Sequence, residues 1–187
     1  GTFQPDEGKQ SCADCGSGHF SPPAGGAPEC AACAPGSHSP SAGADLCPLC
    51  RPGTWTNETG SSACNPCAAG THNAARGSKD GANCTQCGVG TYSGEGCSSC
   101  FLCEGGKSNP KAGSGEEGDC RLCDLGTYSQ KGAAKCELCG RGKYGPRSGG
   151  TYCELCPSNF VSFPGSVKMA DCTCESTQNG QVMTKNK

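Results

Sequence analysis

Isoleucine is absent from this 187-residue chain, and the residues that usually fill a core are scarce: seven leucines, four valines, five phenylalanines, four tyrosines and one tryptophan. So little apolar side chain cannot offset the ordering entropy of a chain this long. A single large globular core, a helical bundle and most enzyme folds of this length are excluded on that ground. No charge of one sign dominates, because 15 basic and 17 acidic residues are scattered to a net −2. The basic patch or stripe that a nucleic acid or an anionic membrane would require is missing. Long apolar runs are missing as well. Fragments such as Phe160-Val161 fall far short of the roughly 20 residues that span a bilayer. Gly1 is followed by polar residues, so a secretory leader was removed or lies outside this segment.

What the chain has in excess is cysteine (21), glycine (31) and proline (13). That composition would read as disorder without the cysteines; with them it reads as a disulfide scaffold of an oxidising, extracellular compartment. The cysteines are ordered. C-x-x-C pairs begin at Cys12, Cys30, Cys47, Cys64, Cys84, Cys100, Cys120, Cys136 and Cys153, in steps of 18, 17, 17, 20, 16, 20, 16 and 17 residues. Three positions after the second Cys comes a glycine, and two further on there is usually an aromatic residue or a histidine. Gly53-Thr54-Trp55-Thr56, Gly70-Thr71-His72-Asn73, Gly90-Thr91-Tyr92-Ser93 and Gly126-Thr127-Tyr128-Ser129 are examples. A second glycine commonly sits four positions before the next pair, at Gly43, Gly60, Gly132 and Gly149.

The repeat has a physical reading. The first glycine permits a turn that a side chain would obstruct, the Thr-aromatic-Ser segment is a short strand whose ring can cover the adjacent cystine, and the second glycine turns the chain back. Each unit is then a two-stranded hairpin too small to be stable alone. One disulfide closing a loop of about 15 residues is worth roughly 3 kcal/mol in the chain-entropy account, and it substitutes for the missing core. Glycine or proline interrupts nearly every window long enough for a helix. The expected fold is a small disulfide-rich, elongated tandem array of two-stranded β-hairpins with almost no helix.

At these residues the sequence resembles the ephrin-receptor-like cysteine-rich repeat, related to the tumour-necrosis-factor-receptor modules. The shared unit is C-x-x-G-T-Y-S…G-x-x-C-x-x-C, and the closing stretch Cys153 to Cys174 is similar to the way such repeats end. In that family the second Cys of one pair bonds the first Cys of the next. The resemblance therefore implies Cys15–Cys30, Cys33–Cys47, Cys50–Cys64, Cys67–Cys84, Cys103–Cys120, Cys123–Cys136, Cys139–Cys153 and Cys156–Cys172. Cys87 would pair with Cys100 or Cys97. Cys100 is favoured because it encloses twelve residues, within the range of the other loops, whereas Cys97 encloses nine. The implied repeats run over 15–32, 33–49, 50–66, 67–86, 87–102, 103–122, 123–138, 139–155 and 156–173, after a partial repeat at 1–14 and before a tail at 174–187. The unit after Cys103 carries Ser108 in place of the aromatic and is expected to be more mobile.

Other chemistries are weighed against this ladder. Cys12-x-x-Cys15 and Cys30-x-x-Cys33 superficially match a four-cysteine zinc site. The unbroken run of similar pairs and the hairpin signature between them favour disulfides, and no metal or cofactor is expected. A thioredoxin-type C-x-x-C needs a βαβ setting that is absent. Of the histidines, His38 and His72 occupy the aromatic slot and His19 precedes it, while Glu116-Glu117 with Asp119 reads as a solvated loop tip. None of these groups forms a catalytic constellation, so no enzyme is expected. Two sequons, Asn57-Glu58-Thr59 and Asn83-Cys84-Thr85, favour a secretory route and covalent glycans, with Asn57 the better acceptor because Asn83 adjoins a disulfide. Leu49, Leu102, Leu122, Leu138 and Leu155 share the position before the second Cys; they are expected to pack between units and to stiffen the later half, with a surface-contact stripe for another chain as the alternative.

Two functions follow from this reading. One is structural: a glycosylated stalk, coat or filament subunit of the extracellular space. The other is recognition: a cysteine-rich segment of a cell-surface receptor ectodomain that binds a protein ligand. Few exposed aromatics or arginines are expected to serve as hot spots, which favours the structural reading. Cys12 would close a loop that the chain does not open, and Cys174 opens one that it does not close. The chain is then either an excerpt of a longer array or a subunit joined head to tail. In the second case Cys174 of one copy bonds Cys12 of the next, with Glu175 to Lys187 packed on the incoming Gly1 segment.

Overall fold

Each hairpin starts on the same turn. The first glycine of the repeat takes a positive φ, between 74° and 85° from Gly18 to Gly142, a backbone region that side chains resist. The hydroxyl of the next residue then closes the turn onto the carbonyl three positions back: Thr54 to Arg51 at 2.8 Å, and Thr71 to Ala68, Thr91 to Gly88 and Thr127 to Asp124, each at 2.7 Å. Threonine suits this place because its hydroxyl adds a second donor to a carbonyl that its own backbone N–H already bonds, at 3.0 Å from Thr54 N to Arg51 O and from Thr71 N to Ala68 O. Two residues of strand follow before the chain loops to its antiparallel partner.

The protein, in a computed structural model that describes residues 1–4, 12–22, 29–174, 176–178 and 181–183, is a tandem series of such two-stranded antiparallel hairpins with almost no helix. It divides into two compact units. The first comprises Gly1–Gln86 with Ser93–Cys100. Its strands pair 2–3 with 13–14, 19–20 with 31–32, 54–55 with 65–66 and 71–72 with 85–86, and a single bridge joins Ser37 to Leu49. The second unit comprises Cys87–Tyr92 with Phe101–Lys187. There the pairs are 91–92 with 101–102, 107–108 with 121–122, 127–128 with 137–138, 143–144 with 154–155, 160–161 with 173–174 and 176–178 with 181–183.

Among the described residues there are also three single turns of 3-10 helix, at Gly81–Asn83, Glu117–Asp119 and Met169–Asp171. Each lies directly before the cysteine that closes its loop, in the loops closed by Cys67–Cys84, Cys103–Cys120 and Cys156–Cys172, whose separations are 17, 17 and 16 residues. The loops that begin at Cys15, Cys33, Cys50, Cys123 and Cys139 span 13 to 15. Extra length is thus absorbed as one helical turn on the approach to the cysteine. In these longer loops the second glycine (Gly77, Gly113 or Gly165) stands seven positions before the closing cysteine instead of four.

Within each unit the repeats are stitched by backbone. The first glycine donates to the next repeat, as from Gly36 N to Thr56 O at 2.8 Å and from Gly106 N to Ser129 O at 2.9 Å. The second glycine donates one repeat further back, to the second Cys of an earlier pair, as from Gly77 N to Cys50 O and from Gly132 N to Cys103 O, both at 2.8 Å. A Cβ on Gly53 would stand 2.0 Å from Gly96 O, and one on Gly106 would stand 2.0 Å from Gly149 O. Glycine is therefore required twice at these positions, by φ and by close approach.

Candidate functional site

The buried centre of the protein is sulfur and small polar side chain. Cys15, Cys33, Cys50, Cys67 and Cys139 are fully buried, and Tyr144 is the one large apolar side chain buried with them among the described residues. The structure joins Cys15 to Cys30, Cys33 to Cys47, Cys50 to Cys64, Cys67 to Cys84, Cys103 to Cys120, Cys123 to Cys136, Cys139 to Cys153 and Cys156 to Cys172. Cys87 and Cys100 are also disulfide-bonded, whereas Cys97 is a half-buried free thiol and Cys12 and Cys174 are exposed free thiols. The four-cysteine zinc arrangement is not available in this state, because Cys15 is bonded to Cys30 and a cystine sulfur is no thiolate.

Beside the sulfurs lies a position that the sequence pattern displays but does not explain. The residue after the aromatic slot is buried in repeat after repeat: Ser21, Ser39, Thr56, Asn73, Ser93, Asn109, Ser129 and Ser162. In the second unit it donates to the first strand of the preceding repeat, from Asn109 Nδ2 to Thr91 O at 3.1 Å, from Ser129 Oγ to Lys107 O at 2.8 Å and from Ser162 Oγ to Lys143 O at 2.6 Å. Ser93 Oγ makes the same bond to Thr71 O in the first unit, at 2.9 Å. A small hydroxyl or amide fits where an apolar side chain would leave a strand carbonyl unpaired. Gly145 is the exception, since a Cβ there would meet Cys139 Sγ and Gly126 N at 3.0 Å.

The slot residues cap the sulfurs. His38 Nδ1 lies 3.3 Å from Cys64 Sγ and His72 Nδ1 lies 3.2 Å from Cys100 Sγ. Ser108, in the slot without a ring, places its hydroxyl 3.3 Å from Cys136 Sγ. Other slots use their rings across the hairpin or along it. Tyr92 and Phe101 stand 5.7 Å apart between ring centres, Tyr128 donates to Glu137 at 3.1 Å, and Trp55 covers Gly81. Glu137 beside Tyr128, and Glu154 beside Tyr144, hold both phenols above the usual tyrosine range by hydrogen bonding. His19, by contrast, turns its ring nitrogen to a neighbouring carbonyl, Ser17 O at 3.3 Å.

The leucines behave differently from the sequence expectation. They do reach other repeats: Leu49 lies over Gly77, Leu102 over Gly132, Leu122 over Gly149 and Leu138 over Gly165. Glycine offers them no side chain to interlock with, however, so Leu122 and Leu138 remain 61% and 62% exposed; Leu155 is 72% exposed. They present a repeated apolar surface rather than an interior seam. Phe101, Leu125, Tyr152, Phe163 and Met169 add exposed apolar side chains in the same unit. Surface charges pair locally, Lys107 with Glu117 at 2.8 Å and Arg147 with Glu154 at 3.3 Å. Asn57 and Asn83 are both exposed. The side chains of the 175–187 tail lie outside the described residues. No helix among the described residues is long and apolar enough to cross a membrane.

The same arrangement of paired cysteines, turn glycines and hairpins is found in a known family. Residues 41–84 and 126–172 match the family described as tyrosine-protein kinase ephrin type A/B receptor-like. No curated protein matches the chain. Over these segments the chain carries ephrin-receptor-like cysteine-rich repeats.

Proposed function

We propose that the chain is a recognition segment of a cell-surface protein, a stretch of ectodomain that binds a protein ligand along the exposed apolar side chains of its second unit. The observation that carries this reading is the match of two segments to a receptor-like module, joined to the exposure of Leu122, Leu138 and Leu155. Dense disulfides and an extracellular type of module point to the cell surface or the space outside it, and modules of this type are non-catalytic. The sequence alone favours a stalk or filament. Leucines at the surface rather than between units move the preference to recognition, because repeated exposed apolar groups are what a partner can bury. Biolayer interferometry of the purified chain against a panel of purified ectodomains tests this. The expected result is a saturable partner whose affinity drops at least tenfold for the Leu122→Asp/Leu138→Asp double variant. Absence of any such partner, or equal binding by the variant, removes the reading.

Two finer features accompany it. Exposed Asn57 and Asn83 are proposed N-glycan acceptors, Asn57 foremost, to be tested by the mass shift on enzymatic deglycosylation. Exposed thiols at Cys12 and Cys174 favour a covalent junction to a neighbouring repeat or a second copy. A reductant-sensitive multimer series on non-reducing gels, abolished by Cys174→Ser, is the expected sign.

A further inference from the structure

His38 differs from the aromatic residues that fill most slots. Its ring nitrogen, Cys50 Sγ and Cys64 Sγ all lie within 4.8 Å of one another, with Nδ1 3.3 Å from Cys64 Sγ. The contact recurs at His72, whose Nδ1 is 3.2 Å from Cys100 Sγ, whereas Phe20, Trp55, Tyr92, Tyr128 and Tyr144 offer no ligand nitrogen in the slot. Cys50 is fully buried and Cys64 half-buried. A groove of about 330 Å³ lined by His38, Leu49, Arg51, Thr54 and Cys64 gives a small molecule a route to the outer sulfur. The backbone holds these residues independently of the S–S bond. Cys50 N donates to Gly36 O and Gly77 N to Cys50 O, both at 2.8 Å, while His38 N donates to Pro48 O at 3.0 Å.

We propose that His38, Cys50 and Cys64 form a latent binding site for a soft divalent metal ion of the Zn²⁺ type, closed while the cystine is intact and opened by a small thiol. The opening balances as ordinary exchange. The thiolate of the external thiol attacks Cys64 Sγ, the S–S bond breaks, and Cys50 leaves as a thiolate within 4.8 Å of the His38 ring nitrogen. A second thiolate attacks the mixed disulfide on Cys64, releasing Cys64 and an external disulfide. Net, two thiols are oxidised and one cystine is reduced. The metal then takes both sulfurs as thiolates and the neutral His38 nitrogen, releasing the ligand protons. Sulfur and nitrogen donors held this close suit tetrahedral zinc, with water from the groove in the fourth position. Arg51 at the groove adds positive charge that favours the thiolates. Metal would thereby replace the covalent clamp of the 50–64 loop.

The test is resolved by site. The free thiols of the intact chain are first capped with iodoacetamide. Limiting glutathione is then added, and new thiols are trapped with N-ethylmaleimide and mapped by mass spectrometry, with and without Zn²⁺. Cys50 and Cys64 are expected to label at least tenfold ahead of Cys33 and Cys47, and Zn²⁺ is expected to protect them. His38→Tyr, a residue that fills this slot elsewhere, is expected to abolish both the early labelling and the protection while leaving labelling at Cys100 unchanged, which serves as the control for folding. His38→Gln, which keeps a polar side chain, is expected to act likewise. Labelling of Cys50 and Cys64 no sooner than Cys33 and Cys47 overturns the proposal. So does zinc protection that is missing from the native sequence or undiminished in the variants.

Discussion

The two units of this protein share a backbone and differ in side chains. In both, the first glycine bonds forward to the next repeat and the second bonds back to an earlier cysteine, at nearly the same distances. The slot is another matter. The first unit fills it with Phe20, His38, Trp55 and His72, and the second with Tyr92, Ser108, Tyr128, Tyr144 and Val161. Before the second Cys of a pair, the first unit has Asp14, Ala32, Leu49, Pro66 and Gln86, whereas the second has Leu102, Leu122, Leu138 and Leu155. Cystines and main-chain bonds therefore carry the architecture, and they leave two positions per repeat free to acquire chemistry. Imidazole against sulfur appears in one unit, and apolar surface with hairpin-spanning phenols in the other.

The largest effect expected is common to both. Excess dithiothreitol without denaturant should unfold the whole chain, read as loss of amide-exchange protection throughout. Protection that survives in one unit would show a core independent of sulfur there. Next in size are the turn glycines. Gly53→Ala and Gly106→Ala force a side chain into positive φ and against a carbonyl, at an expected cost of about 2–4 kcal/mol each. Local exchange rates should report similar losses in the two units if the ladder is shared, and unequal losses if it is not. Ser129→Ala strips the partner from Lys107 O and should cost about 1–2 kcal/mol. Leu138→Ala exchanges a side chain already 62% exposed and should cost less than about 1 kcal/mol, yet weaken ligand binding. Ala32→Ser at the matching place in the first unit should leave both unchanged.

The smallest effect is electrostatic. Hydrogen bonding to Lys107 holds the Glu117 carboxyl below the usual carboxylate range, and Glu117 in turn raises Lys107. For the lowered carboxyl, the stabilisation is present above its unfolded value and fades as pH falls through the folded one. For the raised amine it is present below the ordinary amine value and fades as pH rises through the folded one. An NMR titration of the Glu117 side chain should therefore show a depressed midpoint that returns to normal in Lys107→Met.

Much of this was legible in the spacing of cysteines and glycines, because a hairpin closed by a sulfur bridge has few ways to be built. The register of the second glycine in the long loops was not, since a single 3-10 turn before Cys84, Cys120 or Cys172 hides three residues that counting back from the cysteine places wrongly. The buried polar side chains of Ser93, Asn109 and Ser129 were visible as a recurring small polar residue. Polar residues in a chain so poor in apolar ones read as surface, although here they form the interior. The leucines erred in the opposite direction: their shared position suggested burial, but a glycine partner has no side chain with which to enclose them. The cluster of His38 with Cys50 and Cys64 could not be read from sequence at all, because it joins a slot to a cystine one repeat away.

The order in which the cystines are strung has a mechanical consequence. From Cys33 the shortest covalent route crosses to Cys47, follows three residues to Cys50, crosses to Cys64 and follows three more to Cys67. Each crossing spans 5.6–5.8 Å between Cα atoms, whereas the bypassed loop, separating its cysteines by 14 residues, could stretch to about 50 Å if unfastened. A pull on such a chain travels through sulfur, and most of its contour length is never paid out. A protease that nicks the loop at Glu58 likewise leaves the strand of bonds unbroken. The polypeptide can be cut within each such loop and still hold what is attached at its two ends.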